Sequence, residues 1–265
     1  MKKSINFISS ILLALAFNAC SANMDDSDVF DLDESLAEWG ITYQNVCPSV
    51  TDAVIRPEPW NVDVVRTFVI SDETIRSMST CGLLVTYLNF PVVLAEIGSD
   101  LFASSVTMFN NKLRENKVAL EFFERNDFYS ALVSKYLSLI KITEYHEGIR
   151  VSTLDGPYNI EWLLANDMIM SAMSQKEKTQ VMVMALERTK YAQDFENIQP
   201  CLIMIAIMKT CKYGPFLKDI EPRLVETSAG YTMPDPDGEL SGNSLNSQNR
   251  AIIIKYAKQF LNEQK

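Results

Sequence analysis

From residue 71 onward, apolar residues recur at spacings of three and four, the pattern of helices that bury one face. Ser71 is placed to cap a helix with Asp72 and Glu73 in its first turn, and Ile75, Met78, Gly82, Val85, Thr86 and Asn89 mark one face of it. Asn89-Phe90-Pro91 ends that helix, because the residue before proline avoids the α region. Short helices are predicted after Pro91 and Asp100, the latter with Phe102, Val106, Phe109 and Leu113 inward. Another short helix or turn is predicted over 117–124, and then a helix capped by Asn126 with Phe128, Ala131, Leu132 and Leu139 inward. A helix from about Tyr158 to Met173 follows a break at 144–157. Ser174 and Glu177 form a capping box for the next helix, whose stripe is Val181, Met184, Ala185, Tyr191, Ala192 and Phe195.

Cys201 to Met208 are apolar on every side, so that helix is expected at the centre of the assembly, and the stretch is far too short to span a membrane. Residues 227–248 are rich in Ser, Gly, Asn, Asp and Pro and read as a long loop. A last helix is predicted from near Asn249, with Ile253, Tyr256, Ala257, Phe260 and Leu261 inward. Residues 40–70 are the least helical part, with Pro48, Pro57 and Pro59 and a valine-rich extended segment. The expected fold is all-α, with about eight helices in antiparallel pairs, as a bundle or an irregular α-solenoid, after an extended N-terminal segment.

The N-terminus has a different texture. Lys2 and Lys3 precede a largely apolar stretch from Ile5 to Phe17, shorter than the roughly 20 residues a span requires. Cys20 follows directly, and Leu15-Ala16-Phe17-Asn18-Ala19-Cys20 resembles a bacterial lipobox, so lipid attachment is expected at Cys20. Ordinary signal-peptidase cleavage near Cys20-Ser21-Ala22, giving a soluble secreted or periplasmic protein, is the alternative. The expected organisation is a signal peptide over 1–19, an acidic tether over 20–39 and one helical domain over 40–265, with a candidate sub-boundary at 144–157. No Lys or Arg occurs between Ser4 and Ile55, whereas Asp25, Asp26, Asp28, Asp31, Asp33, Glu34 and Glu38 cluster just after the cysteine. Such a run stays solvated, although Leu32, Leu36 and Trp39 are spaced to dock a short helix on the body.

The chain of 265 residues carries 24 basic and 34 acidic side chains, and removal of Lys2 and Lys3 leaves 22 against 34, net −12. That balance disfavours non-specific nucleic-acid binding. A hydrophobic content of 47% excludes wholesale disorder. Four cysteines remain beyond Cys20. Cys201 and Cys211 are ten residues apart on one predicted helix, roughly 15 Å of rise, which is too far to bridge. Cys81 falls mid-helix among apolar neighbours, so buried free thiols are favoured over disulfides.

Met78-Ser79-Thr80-Cys81-Gly82-Leu83, Thr86, Leu88-Asn89 and Pro91 resemble a segment of helical exported proteins of unknown function in Bacteroidetes. Phe109-Asn110, Leu120-Glu121, Arg125, Asp127 and Leu132 to Tyr136 fit the same pattern, which covers about a quarter of the chain. The resemblance implies an all-α fold and residence in the cell envelope, and it implies no catalytic residues. Cys81 departs from the pattern, where a polar residue is expected, and so does the start of the acidic cluster five residues after Cys20.

Candidate chemistry is sparse. His146, the single histidine, lies in the predicted loop Glu144-Tyr145-His146-Glu147 and reads as an exposed loop residue, not half of a nucleophilic pair. Asp235-Pro236-Asp237-Gly238-Glu239 resembles a calcium loop, but aligning Gly238 with the EF-hand glycine puts Met233 and Ser244 where the end ligands belong. Glu121 with Glu124 could pair for acid–base work, yet with 34 acids such pairs arise by chance. The methionines at 168, 170, 173, 182 and 184 read as core. No catalytic, cofactor or metal residue is expected. The leading expectation is a non-enzymatic lipid-anchored module of the cell envelope, at the outer membrane, that binds a protein or glycan partner or serves as a scaffold. The rival is a hydrolase of glycan or peptide working through carboxylates.

Overall fold

The computed structural model describes residues 34–42, 46–47, 50–54, 69–89, 113–145, 157–191, 198–227, 230–233 and 245–264. Of these, 72% are helical and the strands form a single two-stranded sheet, so the fold is all-α. In chain order the helices are α1 (Glu34–Ala37), α2 (Asp72–Ser77), α3 (Thr80–Asn89), α4 (Lys117–Phe123), α5 (Phe128–Tyr145) and α6 (Pro157–Leu164). They continue with α7 (Asp167–Ala172), α8 (Gln175–Tyr191), α9 (Ile198–Thr210), α10 (Gly214–Asp219) and α11 (Ser247–Asn262).

The all-apolar segment is the hub. α9 packs against α6, α7, α8, α10 and α11, which is why no face of it can be polar. Cys201 to Ile205 and Ile207 and Met208 are buried, and Ala206 is half-buried. Around the hub, α5 packs on α6 and α8, while α3 packs on α4. One continuous hydrophobic cluster runs from Leu36 through Leu261. Met170, Met173, Met182 and Met184 belong to it, with Met168 packed at its edge.

Several local expectations hold because the chemistry is short-range. Ser71 accepts from the Thr74 amide at 3.1 Å. In the capping box, the Ser174 amide donates to Glu177 Oε2 at 2.7 Å and the Glu177 amide donates to Ser174 Oγ at 3.3 Å. The described part of α3 runs to Asn89. Leu36 is buried and Trp39 is packed against the core, so the end of the acidic leader docks as the short helix α1.

Other expectations are corrected. The single helix predicted from 71 is two, because Met78 adopts an extended conformation and Ser79 caps α3, its hydroxyl accepting from the Gly82 amide at 3.0 Å. Asp52, from far upstream, accepts from both the amide and the hydroxyl of Ser79 and holds that break open. The helix predicted over 158–173 also breaks, at Asn166, whose side chain accepts from the Met168 amide at 2.9 Å. Asn126 does not cap α5. The Ala131 amide bonds the Asp127 carbonyl, which makes Asp127 the capping position. The region read as a loop from 227 begins inside an antiparallel hairpin, β1 (Val225–Thr227) with β2 (Gly230–Thr232), in the register Val225↔Thr232 and Thr227↔Gly230. The last helix starts at Ser247, two residues early, with Asn246 as its cap.

The cysteine reading is corrected in part. Cys47 and Cys81 form a disulfide with Cα atoms 5.6 Å apart. Cys81 looked mid-helix only because the break at Ser79 was not visible; it is the second residue of α3 and half-buried. Cys201 on α9 and Cys211, one residue past its end, are free thiols, and their separation keeps them from bonding each other.

Candidate functional site

The end of α9 builds one side of a surface cleft. The Lys212 amide bonds the Lys209 carbonyl and the Tyr213 amide bonds the Met208 carbonyl, the pair of bonds that closes a Schellman turn. Lys212 takes the left-handed conformation of that turn with φ 52°, a position that favours glycine. The turn reverses the chain at Tyr213, and Pro215, near the start of α10, carries it across the end of α11.

Tyr213 and Tyr256 are both held by aromatic and polar contacts. The Tyr213 ring meets Phe260 edge-to-face at 5.4 Å, and the Tyr256 ring meets Phe216 at 6.5 Å. Tyr213 donates to Glu263 Oε1 at 2.8 Å, and Tyr256 donates to Asp219 Oδ2 at 3.1 Å. Burial, reinforced by the Glu263 carboxylate, pushes the Tyr213 phenol up to about 12, so it remains a donor at neutral pH. The Tyr256 phenol is raised by burial and by its bond to Asp219. With Pro215, Gln259 and Asn262 these residues line a cleft of about 350 Å³. That volume lies within the range of small-ligand pockets, about 300–1,000 Å³.

A smaller hollow of about 150 Å³ lies between the docked leader and α5 and α8, lined by Gly40, Ile41, Tyr129, Ser134 and Gln180. It is a seam. Gln180 donates to the Trp39 carbonyl at 3.1 Å and accepts from the Tyr129 hydroxyl at 2.9 Å, and the Val46 amide donates to Ser134 Oγ at 3.4 Å.

The core contains a third polar group. Glu161 on α6 and Arg188 on α8 are each about 1% exposed, with Arg188 Nε 3.5 Å from Glu161 Oε1. Tyr136 on α5 donates to the same oxygen at 3.1 Å. Burial drives the Tyr136 phenol well above its ordinary value, and Glu161 adds to that shift. Burial likewise pushes the nearby Cys201 thiol up to about 12, so it is an inert small hydrophobe. This cluster ties α5, α6 and α8 together.

Among the residues singled out from sequence, Cys20, His146 and the 235–239 loop lie outside the described residues. Glu121 pairs with Arg125 at 2.8 Å, while Glu124 is exposed at the end of α4. Sequence reading missed Tyr213, Asp219 and Glu263, and it placed Tyr256, which is half-buried, among the inward residues of the last helix. Tyr256 and Gln259 on α11 and Glu263 at its C-cap fall at helical spacing, beside the buried stripe of Ile253, Ala257 and Phe260, and that polar stripe was a legible signal. Its partners on α10 were not legible. The chain matches no family model, no curated protein and no solved structure.

Proposed function

We propose that the protein is a lipid-anchored module of the bacterial cell envelope, held through Cys20 at the outer membrane, that captures a protein or glycan partner. The observation that carries this reading is the Cys47–Cys81 disulfide. Disulfides form and persist in oxidising compartments, which agrees with the export signal and lipobox-like stretch before Cys20. The acidic leader then acts as a solvated tether whose end, from Glu34 to Ile41, is docked on the body. Tethering a body to a membrane raises its effective concentration against neighbours on that membrane, which suits capture. The cleft between α10 and α11 supplies a surface for it, with polar groups held in place by rigid aromatic rings.

Metabolic labelling with a fatty-acid analogue tests the anchor: the wild-type protein takes the label and Cys20→Ala does not. Equal labelling of the two refutes the anchor. Mild crosslinking of intact cells tests capture: a specific envelope partner is recovered with the wild type and lost when Asp219 and Glu263 are replaced by alanine. Recovery unchanged by those replacements removes the cleft from the reading.

A second reading, a carboxylate-dependent hydrolase of glycan or peptide, draws on Asp219 and Glu263 sharing one cleft. It requires turnover by the purified protein that a single Asp219→Asn or Glu263→Gln substitution abolishes without loss of fold.

A further inference from the structure

We infer that the cleft between α10 and α11 takes a neutral saccharide, recognised through its hydroxyl groups; this rests on the reading of the protein as a binding module. Three features of the lining lead there.

The first is the inventory of hydrogen-bonding groups. Asp219 and Glu263 offer carboxylate oxygens, which only accept when ionised, and Gln259 and Asn262 offer amides that both donate and accept. A sugar hydroxyl is itself both donor and acceptor, so adjacent hydroxyls can satisfy a carboxylate and an amide together. Each carboxylate already receives one tyrosine hydroxyl, at 2.8 Å for Glu263 and 3.1 Å for Asp219. Those bonds set the carboxylate positions before any ligand arrives, which lowers the ordering cost of binding.

The second feature is apolar. Tyr256 and Pro215 share the lining with these polar groups, above Tyr213, which is itself buried. A pyranose ring presents C–H groups on its faces and hydroxyls at its rim, and this mixed lining matches that division. Because Tyr213 and Tyr256 are fixed edge-to-face against Phe260 and Phe216, neither ring has to be ordered on binding.

The third feature is charge. Two carboxylates in a cleft would by themselves suggest a cationic ligand. Lys255 and Lys258 are exposed and stand one helical turn before the lining residues Gln259 and Asn262, and Lys212 and Lys218 are exposed neighbours of Tyr213 and Asp219 along the chain. Arg223 is also close enough to act on the Tyr256 phenol. These bases beside the two carboxylates disfavour a polycationic partner. An uncharged ligand rich in hydroxyls fits both the acceptors inside and the bases around them.

The test is saturation-transfer NMR on the full exported chain in mild detergent, with cellotriose, maltotriose, chitotriose and mannotriose as probes and triarginine amide as the cationic control. The expected result is that at least one trisaccharide binds and that Asp219→Asn and Glu263→Gln each weaken it by about tenfold or more. Should either variant lose its fold, Gln259→Ala and Asn262→Ala provide the same comparison from exposed positions. Binding of none of the four sugars, or sugar binding indifferent to all these substitutions, overturns the inference. Salt-sensitive binding of triarginine in place of sugars also overturns it but leaves a binding module. Failure of Cys20 to take lipid while sugar binding persists overturns the envelope reading alone. Release of shorter sugars from a bound trisaccharide supports the ligand class and gives the function to the hydrolase.

Discussion

Asp52 occupies the space that a side chain at residue 82 would need. A Cβ built on Gly82 would lie 2.8 Å from Asp52 Cγ and closer still to Oδ1. The glycine in the first turn of α3 therefore admits the carboxylate that receives the amide and hydroxyl of Ser79. Those bonds, the Ser79 amide foremost, hold the Asp52 carboxyl below its ordinary value. Gly82→Ala is expected to displace the carboxylate and destabilise the protein by about 1 kcal/mol. In an Asp52→Ala background the same substitution is expected to stabilise it by about 0.5–1 kcal/mol, because alanine is the better helix former once the space is empty. Urea unfolding of the four proteins measures the cycle, and a Gly82→Ala effect of the same sign in both backgrounds contradicts the account.

The disulfide joins residues 34 apart in sequence. Closing a loop of that length restricts the unfolded chain by about 3–4 kcal/mol in the chain-entropy model. Replacing both Cys47 and Cys81 with alanine should lower the unfolding free energy by an amount of that order. The double variant should also expose the junction around residues 47–54 to protease before the rest of the body unfolds.

Cys201 and Cys211 should separate by reactivity. A thiol reagent should label half-buried Cys211 in the native protein and reach Cys201 only after unfolding. Cys201 also shapes alkaline stability. Its folded-state value of about 12 stands above the ordinary 9.0, so the folded state holds the proton more tightly. That contribution is complete below about pH 9 and is lost as the pH rises toward 12. Thermal melts across this window should show a decline that Cys201→Ala makes shallower.

Glu161 and Arg188 are worth more as partners than either is alone. Arg188→Met removes one charge and leaves Glu161 in the core, at an expected cost of about 3–5 kcal/mol. Adding Glu161→Gln should restore a large part of it, since the amide oxygen still accepts from Tyr136. A double variant as unstable as Arg188→Met would show that the carboxylate and guanidinium do not compensate each other.

Lys212 adopts φ 52° at the turn that delivers Tyr213 to the cleft. A non-glycine residue there is strained, so Lys212→Gly should raise stability by about 0.5–1 kcal/mol, read as an increase in melting temperature. The Schellman bonds are made by the backbone and are kept, so the cleft should retain its geometry.

The helical class, the caps at Ser71 and Ser174 and the central place of α9 were all determined by the sequence itself. Each depends on residues within a few positions of one another, or on a run such as Cys201 to Met208 that has no polar face to offer water. The breaks at Ser79 and Asn166 were harder to read, because the helical stripe of apolar residues passes through both. At Ser79 the deciding group is Asp52, from 27 residues away. Only the tertiary structure paired Cys47 with Cys81, since the pairing depends on where that break places α3. Only it paired Glu161 with Arg188 in the core, although Arg188 stands at helical spacing from Met184 and Ala185 of the inward stripe. The cleft divides in the same way. Half of it, the polar stripe of α11, is written in helical spacing. The other half, Tyr213 and Asp219, comes from α10 folding back across α11, and a linear pattern carries no record of which surfaces come to face each other.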